Sequence, residues 1–503
     1  MKYDPALMAD AGPFDCSAVS NCLNVPDSLQ ASLLQTERDP TPMTSAAPRS
    51  TGFVPSIPTN RRWVMFSLAA GTSWFLYLHR FTFTVIRPEL EKEYGFSNTE
   101  LDSIFALFNL TYAIGQVPGG IICDFFGPHF FLAGIIVLWS VVVPCVAFTG
   151  SIRDLSAARL IFGAAQAGCY PSLAKITRVW FPRKSRTIIQ GLIASFFGRG
   201  GGAMAPIVMS SFLIGMCGLS WRLSLVYMAA GGLVFAVLFL RYCRNSPEED
   251  PQVNAAELAL IREGDADTGD APPLLPLSRA LRNPSLLVFI VQQFMNAGAD
   301  MIYGLHMGSY FRNHHGIEDP VTFGFLLSLP LWGGACGGIT GGFINDGLIH
   351  LTGNRRWSRT AVGFTGKVIA CFFLYAATVS VIPLHAAWLL FATKFFSDWT
   401  QPTVWGTSTD MGGRYSGTVF SIINSAGSIA GFVVPIGGGI LLDHYATQQI
   451  IKGQTVVVTH YEPVFLLVGL MYLASAFCWL CINCTNSLDP GEAADTPQTS
   501  PSA

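Results

Sequence analysis

Apolar residues run along this chain in long windows separated by short polar breaks. A helix crossing the hydrocarbon core of a bilayer needs about 20 such residues. Windows of that length predict about twelve spans. The first six lie at roughly 63–87, 101–122, 129–149, 155–180, 187–214 and 222–243. The second six lie at roughly 285–311, 321–345, 360–383, 385–409, 416–441 and 463–483. One break is longer: residues 244–283 form a polar connector carrying Glu248, Glu249, Asp250, Asp265, Asp267 and Asp270. The pattern therefore predicts six helices in 61–243 and six in 284–485. Residues 1–60 are rich in Pro, Ser, Thr and Ala, and with 486–503 they are expected as disordered tails. The first tail lacks the basic start and apolar core of a cleavable signal, so the first span is expected to stay as an anchor.

Composition names the solvent. Half of the 503 residues are hydrophobic and 12% are charged, against roughly 25% charged in a soluble domain. Lipid is the expected surrounding. A net charge of −2 says nothing about nucleic acid, no basic run suggests it, and no nucleic-acid partner is expected. Arg61, Arg62, Arg183, Lys184, Arg186, Arg241, Arg244, Arg279, Arg282, Arg355, Arg356 and Arg359 fall on one side of the spans. The other side carries mainly Arg87, Lys92, Arg153 and Lys452. That bias places both termini and the connector in the cytoplasm of a multi-pass protein of the cell (inner) membrane.

Two features repeat. Gly120-Ile-Ile-Cys-Asp124 ends one apolar stretch, and Gly342-Phe-Ile-Asn-Asp346 ends another about 220 residues later. Gly198 precedes Pro206 at the same spacing as Gly427 precedes Pro435. Two repeats at nearly one offset indicate a duplicated unit, the arrangement by which transporters build a midplane site between two moving bundles.

Tyr112-Ala-Ile-Gly-Gln116-Val-Pro118-Gly119-Gly120 followed by Asp124-Phe-Phe-Gly127-Pro128 resembles the second span and following loop of the major facilitator superfamily. More narrowly the chain is similar to the anion:cation symporter family of sugar-acid and other carboxylate permeases. Tyr77-Leu-His-Arg80, Trp180-Phe-Pro182 with Arg186, Trp221-Arg222 and Asp410-Met-Gly-Gly-Arg414-Tyr-Ser-Gly417 carry the likeness across about 60–485. The fold it implies is an all-α membrane protein with twelve transmembrane helices in two pseudo-symmetric six-helix bundles.

Arg80 is the sharpest functional candidate. A buried arginine costs roughly 2.5–3.5 kcal/mol on insertion scales, so it must face a partner or a watery cavity. Its planar guanidinium suits a carboxylate, and in the resembled family this arginine binds the anion. An internal ion pair is the competing reading. The family's proton-coupled members carry an aspartate before this arginine and a glutamate in the fourth span, whereas His79 and Gln166 stand here. Glutamine cannot carry a proton. Histidine can, so His79 is either a replacement carrier or a polar spacer.

In the tenth span, Lys394 and Asp398 share a helix face at i and i+4, either as a displaced coupling site or as a structural ion pair. Asp300 and His306 are weaker candidates for the same role. Tyr112 aligns with a family tyrosine near the anion, and Asn424 and Ser425 with polar groups toward the sugar end. Asn109, like these, is open to either ligand contact or interhelical hydrogen bonding. Arg199 is read as a second cavity cation or a snorkelling side chain. Asp124 and Asp346, at span ends, are read as gating switches that exchange partners between states. The glycine runs in the fifth and eighth spans suit close helix packing. Twelve cysteines form no paired framework, and Cys478, Cys481 and Cys484 lack a fourth metal ligand.

These features predict a monomeric secondary transporter of a small organic anion such as a sugar acid, with proton or sodium coupling left open. An uncoupled facilitator or exchanger, or a transport-inactive receptor, are the alternatives. No nucleophile–base set, zinc signature or nucleotide loop supports an enzyme, and no cofactor is expected.

Overall fold

The computed structural model describes residues 57–263, 277–451, 454–486 and 488. Among them the helices group into twelve rods in the order the apolar windows predict. The expected tails fall largely outside the described residues, as do Asp265, Asp267, Asp270 and Lys452.

Among the described residues eight helices are long and apolar enough to cross a membrane, the first of them, Asn98–Phe148, containing both the second and third spans. Gly127 separates those two spans with φ 76° and ψ 157°. Only glycine takes that conformation at little cost, and the Asn245 amide fills the space beside it, its Oδ1 accepting from His129 N–H at 3.0 Å.

The first, fourth, seventh and tenth spans are each broken. Arg61–Arg80 stops at Phe81 before Thr82–Tyr94. Ile152–Ala167 is followed by Cys169–Trp180, Pro284–Leu305 by Met307–Ser309, and Pro383–Asp398 by Gln401–Gly412. The fifth span carries two π-helical stretches, Leu192–Gly198 and Ile207–Met216, around Arg199–Pro206. The apolar pattern contains no signal for either. Between the eleventh span, Ser416–Tyr445, and the twelfth, Glu462–Cys481, strands Thr447–Ile451 and Gln454–Val458 pair antiparallel, adding a hairpin to the all-α expectation.

Packing follows the small residues. A Cβ added at Gly333, Gly337 or Gly341 would strike the backbone carbonyls of Phe391, Phe395 and Trp399. The eighth and tenth spans therefore lie backbone to backbone, four residues at a time, as small-residue interfaces in lipid allow. The connector is tied to the chain start. Glu257 is fully buried and accepts from the backbone N–H groups of Arg61 and Arg62, both at 2.9 Å. Arg61 Nε also donates to Asp250 at 2.6 Å.

Contacts between the first six rods and the last six concentrate at the end away from the connector. Asp443 accepts from Thr99 N–H at 2.8 Å and Asn98 N–H at 3.1 Å. Ser210 and Ser211 donate to the carbonyls of Pro320 and Val321, and Thr84 donates to that of Gly304. Ser309 donates to Glu91, Arg312 pairs with Glu89 at 2.9 Å, and His306 lies 3.3 Å from Asp102. At the connector end Phe125, Phe126 and Phe343 are 83%, 68% and 77% exposed. These contacts close the far end, whereas phenylalanines stand exposed at the connector end.

Candidate functional site

The broken spans set the site. Arg80 stands directly before the break at Phe81, Gln166 two residues before that at Gly168, and Asp398 at the last helical turn before Trp399. A break stops two helical ladders near one depth, and the last side chains of each turn inward. Arg80 and Asp398 line a cavity of about 180 Å³, and Gln166 holds Arg80 from behind. Tyr77, Arg80, Phe105 and Asn109 line it from the first half, with Arg199 from the fifth span. Asp300, Tyr303, Leu331, Lys394 and Asp398 line it from the second half.

Arg80 is held without an acid. Its Nε donates to Gln166 Oε1 at 3.2 Å. Its guanidinium carbon sits 5.0, 4.8 and 4.6 Å from the ring centres of Tyr77, Phe108 and Tyr112. Each cation–π contact contributes on the order of 0.5–2 kcal/mol, which offsets part of the cost of burying the charge. One terminal nitrogen, Nη2, is buried with no hydrogen-bond partner. Among the described residues no carboxylate reaches ion-pairing distance of Arg80.

The opposite wall is a chain of charges. Arg199 pairs with Asp398, Asp398 with Lys394 at 3.0 Å, and Lys394 with Asp300 at 2.8 Å. Tyr472 O–H donates to the same Asp300 oxygen at 3.3 Å. Buried beside this chain, Lys367 donates to Asn296, and to the Ser397 carbonyl and hydroxyl at 2.9 and 2.7 Å.

The remaining candidates divide. Asn109 lines the cavity, and Tyr112 reaches it only through Arg80. His79 is buried and turned toward the sixth span, its Nε2 3.0 Å from the Met228 carbonyl, outside the main cavity. Asn424 donates to Gln116 at 3.3 Å and Ser425 to the Ser421 carbonyl at 2.9 Å, both away from the cavity lining. Asp124 pairs with Lys175 of its own half at 2.9 Å, and exposed Asp346 accepts from Asn345 at 3.1 Å. Neither aspartate touches the opposite half in this form. Lys367 and Arg159 escaped the sequence reading. Arg159 is buried 4.0 Å from the Phe83 ring centre, with Nε and Nη2 unpartnered. A lone cation inside an apolar window was the available signal for both.

A family model described as Major Facilitator Superfamily matches residues 69–435. The chain belongs to that superfamily. As a facilitator-superfamily protein it is a multi-pass membrane transporter and not an enzyme. It is 28% identical over 421 residues to the probable sulfoacetate transporter of Cupriavidus necator, covering 83% of this chain and 93% of that one. It is 26% identical over 414 residues to the probable galactarate/D-glucarate transporter of Escherichia coli, covering 76% and 88%. The hexuronate transporter of Bacillus subtilis is 25% identical over 396 residues, covering 76% and 88%. Among solved structures, a bacterial homologue of the human lysosomal transporter Spinster superposes with TM-score 0.66 at 15% identity, over 85% of this chain and 96% of that one. At that identity the likeness speaks for the fold. In this superfamily protein the candidate site is a cavity lined from both halves, with Arg80 unpaired with any acid among the described residues.

Proposed function

We propose that this protein carries a small organic anion, a sugar acid or another carboxylate, across the membrane by alternating access. The observation that carries the reading is Arg80: a guanidinium with a free buried nitrogen, facing a cavity, with no protein acid beside it. Such a charge is stabilised by an anionic guest, and a carboxylate matches its two-pronged donor geometry. The relatives named for sulfoacetate, galactarate/D-glucarate and hexuronate support the substrate class.

In this reading the form described has its site open toward the connector, on the cytoplasmic side. The second form opens the seal around Asp443 and Glu91 and brings together the exposed ends that carry Asp124 and Asp346. The protein works as a monomer, since the cavity is complete within one chain. A second reading, an exchanger or facilitator without ion coupling, is favoured by Gln166, an amide that cannot carry a proton, beside Arg80. A coupled proton would instead use Asp300 or Asp398.

Counterflow of labelled hexonate, hexuronate and sulfoacetate in proteoliposomes tests the proposal. Accumulation that depends on Arg80 is expected. Absence of exchange with all three would overturn it, and a rate indifferent to pH and sodium gradients selects the uncoupled form.

A further inference from the structure

The charged side chains lining the cavity are Arg80, Arg199 and Lys394 against Asp300 and Asp398, which leaves one positive charge in excess. Geometry assigns that excess to Arg80, which is held by the neutral oxygen of Gln166 and by aromatic rings. The other two cations are already met by acids. Arg199 pairs with Asp398, and Lys394 stands between Asp398 at 3.0 Å and Asp300 at 2.8 Å. Asp300 is the more open of the two acids: its side chain is 18% exposed, against 9% for Lys394 and 0% for Asp398. Arg199 is open as well, but its carboxylate partner is in place. Elsewhere Phe81, Phe105, Phe108, Met301 and Leu331 add lining that holds no hydrogen-bond donor.

Resting on the carrier reading above, we infer that the substrate is a singly charged acid and that Asp300 sets this selectivity. The guest's one carboxylate sits on Arg80 and neutralises the lining. A second carboxylate finds Arg199 and Lys394 already paired, with the Asp300 carboxylate partly open beside them. It must displace an acid from its cation or stand unpaired among apolar side chains, and both are costly. A hydroxyl in the same place donates to Asp300 or accepts from Arg199 and adds no charge. Discrimination thus rests on a repulsive group set against the wrong guest as well as on attraction to the right one.

The test is competition in proteoliposome counterflow at neutral pH between a hexonate and the matching hexarate, which differ in a carboxylate at the far end. The wild-type protein is expected to prefer the hexonate at least tenfold. Asp300→Asn leaves two cations in excess and is expected to bring that ratio to one or below, whereas Asp300→Glu keeps the preference. Equal competition by the two acids in the wild-type protein, a preference for the hexarate, or an unchanged ratio in Asp300→Asn would overturn the inference and leave the carrier reading standing. Exchange of doubly charged sulfoacetate alone would do the same. Failure of hexonate, hexarate, hexuronate and sulfoacetate to exchange would overturn the two together. Should Asp300→Asn fail to reach the membrane, the wild-type ratio still decides.

Discussion

Arg80 and Gln166 are joined by a hydrogen bond of 3.2 Å from Nε to Oε1, while Gln166 Nε2 donates to the Leu76 carbonyl at 3.1 Å. The second bond fixes the amide's orientation, so its oxygen must face the guanidinium. A neutral acceptor therefore holds Arg80 in place without neutralising it. The charge stays available to a guest.

Removing that charge should remove the guest. Arg80→Ala is expected to weaken anion binding roughly ten- to hundredfold, since a charge-assisted hydrogen bond contributes about 1.5–3 kcal/mol. Substrate-induced fluorescence or thermal-shift titration reads the affinity, with surface expression as the control. An unchanged apparent affinity would remove Arg80 from the site.

Supplying an acid should block the site in a pH-dependent way. In Gln166→Glu the carboxylate is ionised at neutral pH and pairs with Arg80, in competition with substrate. Protonation restores a neutral acceptor. Uptake should be depressed at pH 7 and recover as pH falls and the introduced carboxyl takes up a proton. Uptake equal to the wild type across that range would refute the competition.

The far-end seal depends on Asp443, which accepts two backbone N–H groups at the start of the second span. An anion there satisfies two first-turn amides and meets the positive end of a helix. Asp443→Ala should shift the population toward a form open at that end. Spin labels at Glu100→Cys and Tyr445→Cys would report a longer mean distance in the Asp443→Ala background. No shift, with substrate affinity unaltered, would show that the seal rests on other contacts.

Glu257 should matter for stability alone. It satisfies the Arg61 and Arg62 amides from a buried position, and orphaned buried donors cost about 1–3 kcal/mol each. Glu257→Ala is expected to lower the melting temperature in detergent by several degrees while substrate affinity is kept. A loss of affinity without loss of stability would contradict this.

The twelve windows, the connector and the duplicated Gly–Asp and Gly–Pro pairs were legible because lipid imposes one rule on every spanning segment: about 20 apolar residues with internally satisfied backbone. The need of Arg80 for a partner or a watery cavity was legible for the same reason, whereas Arg199 stayed open between the cavity and snorkelling until the structure placed it in the lining. The π-helical stretches at Leu192–Gly198 and Ile207–Met216 and the 447–458 hairpin were not. A π-stretch and an α-helix present the same apolar composition, and a short amphipathic loop does not differ enough from its neighbours.

The sequence by itself determined that this is a duplicated, twelve-span membrane protein with a cation where lipid forbids one. Tertiary structure alone decided which charges share a cavity. It turned His79 toward Met228, left Arg80 without an acid, and joined Arg199 to Asp398 across more than a third of the chain. The reason is geometric: hydrophobic length reports depth along one helix, whereas partnership depends on the rotation of each helix against its neighbours. That rotation is set by small-residue packing such as the Gly333, Gly337 and Gly341 face.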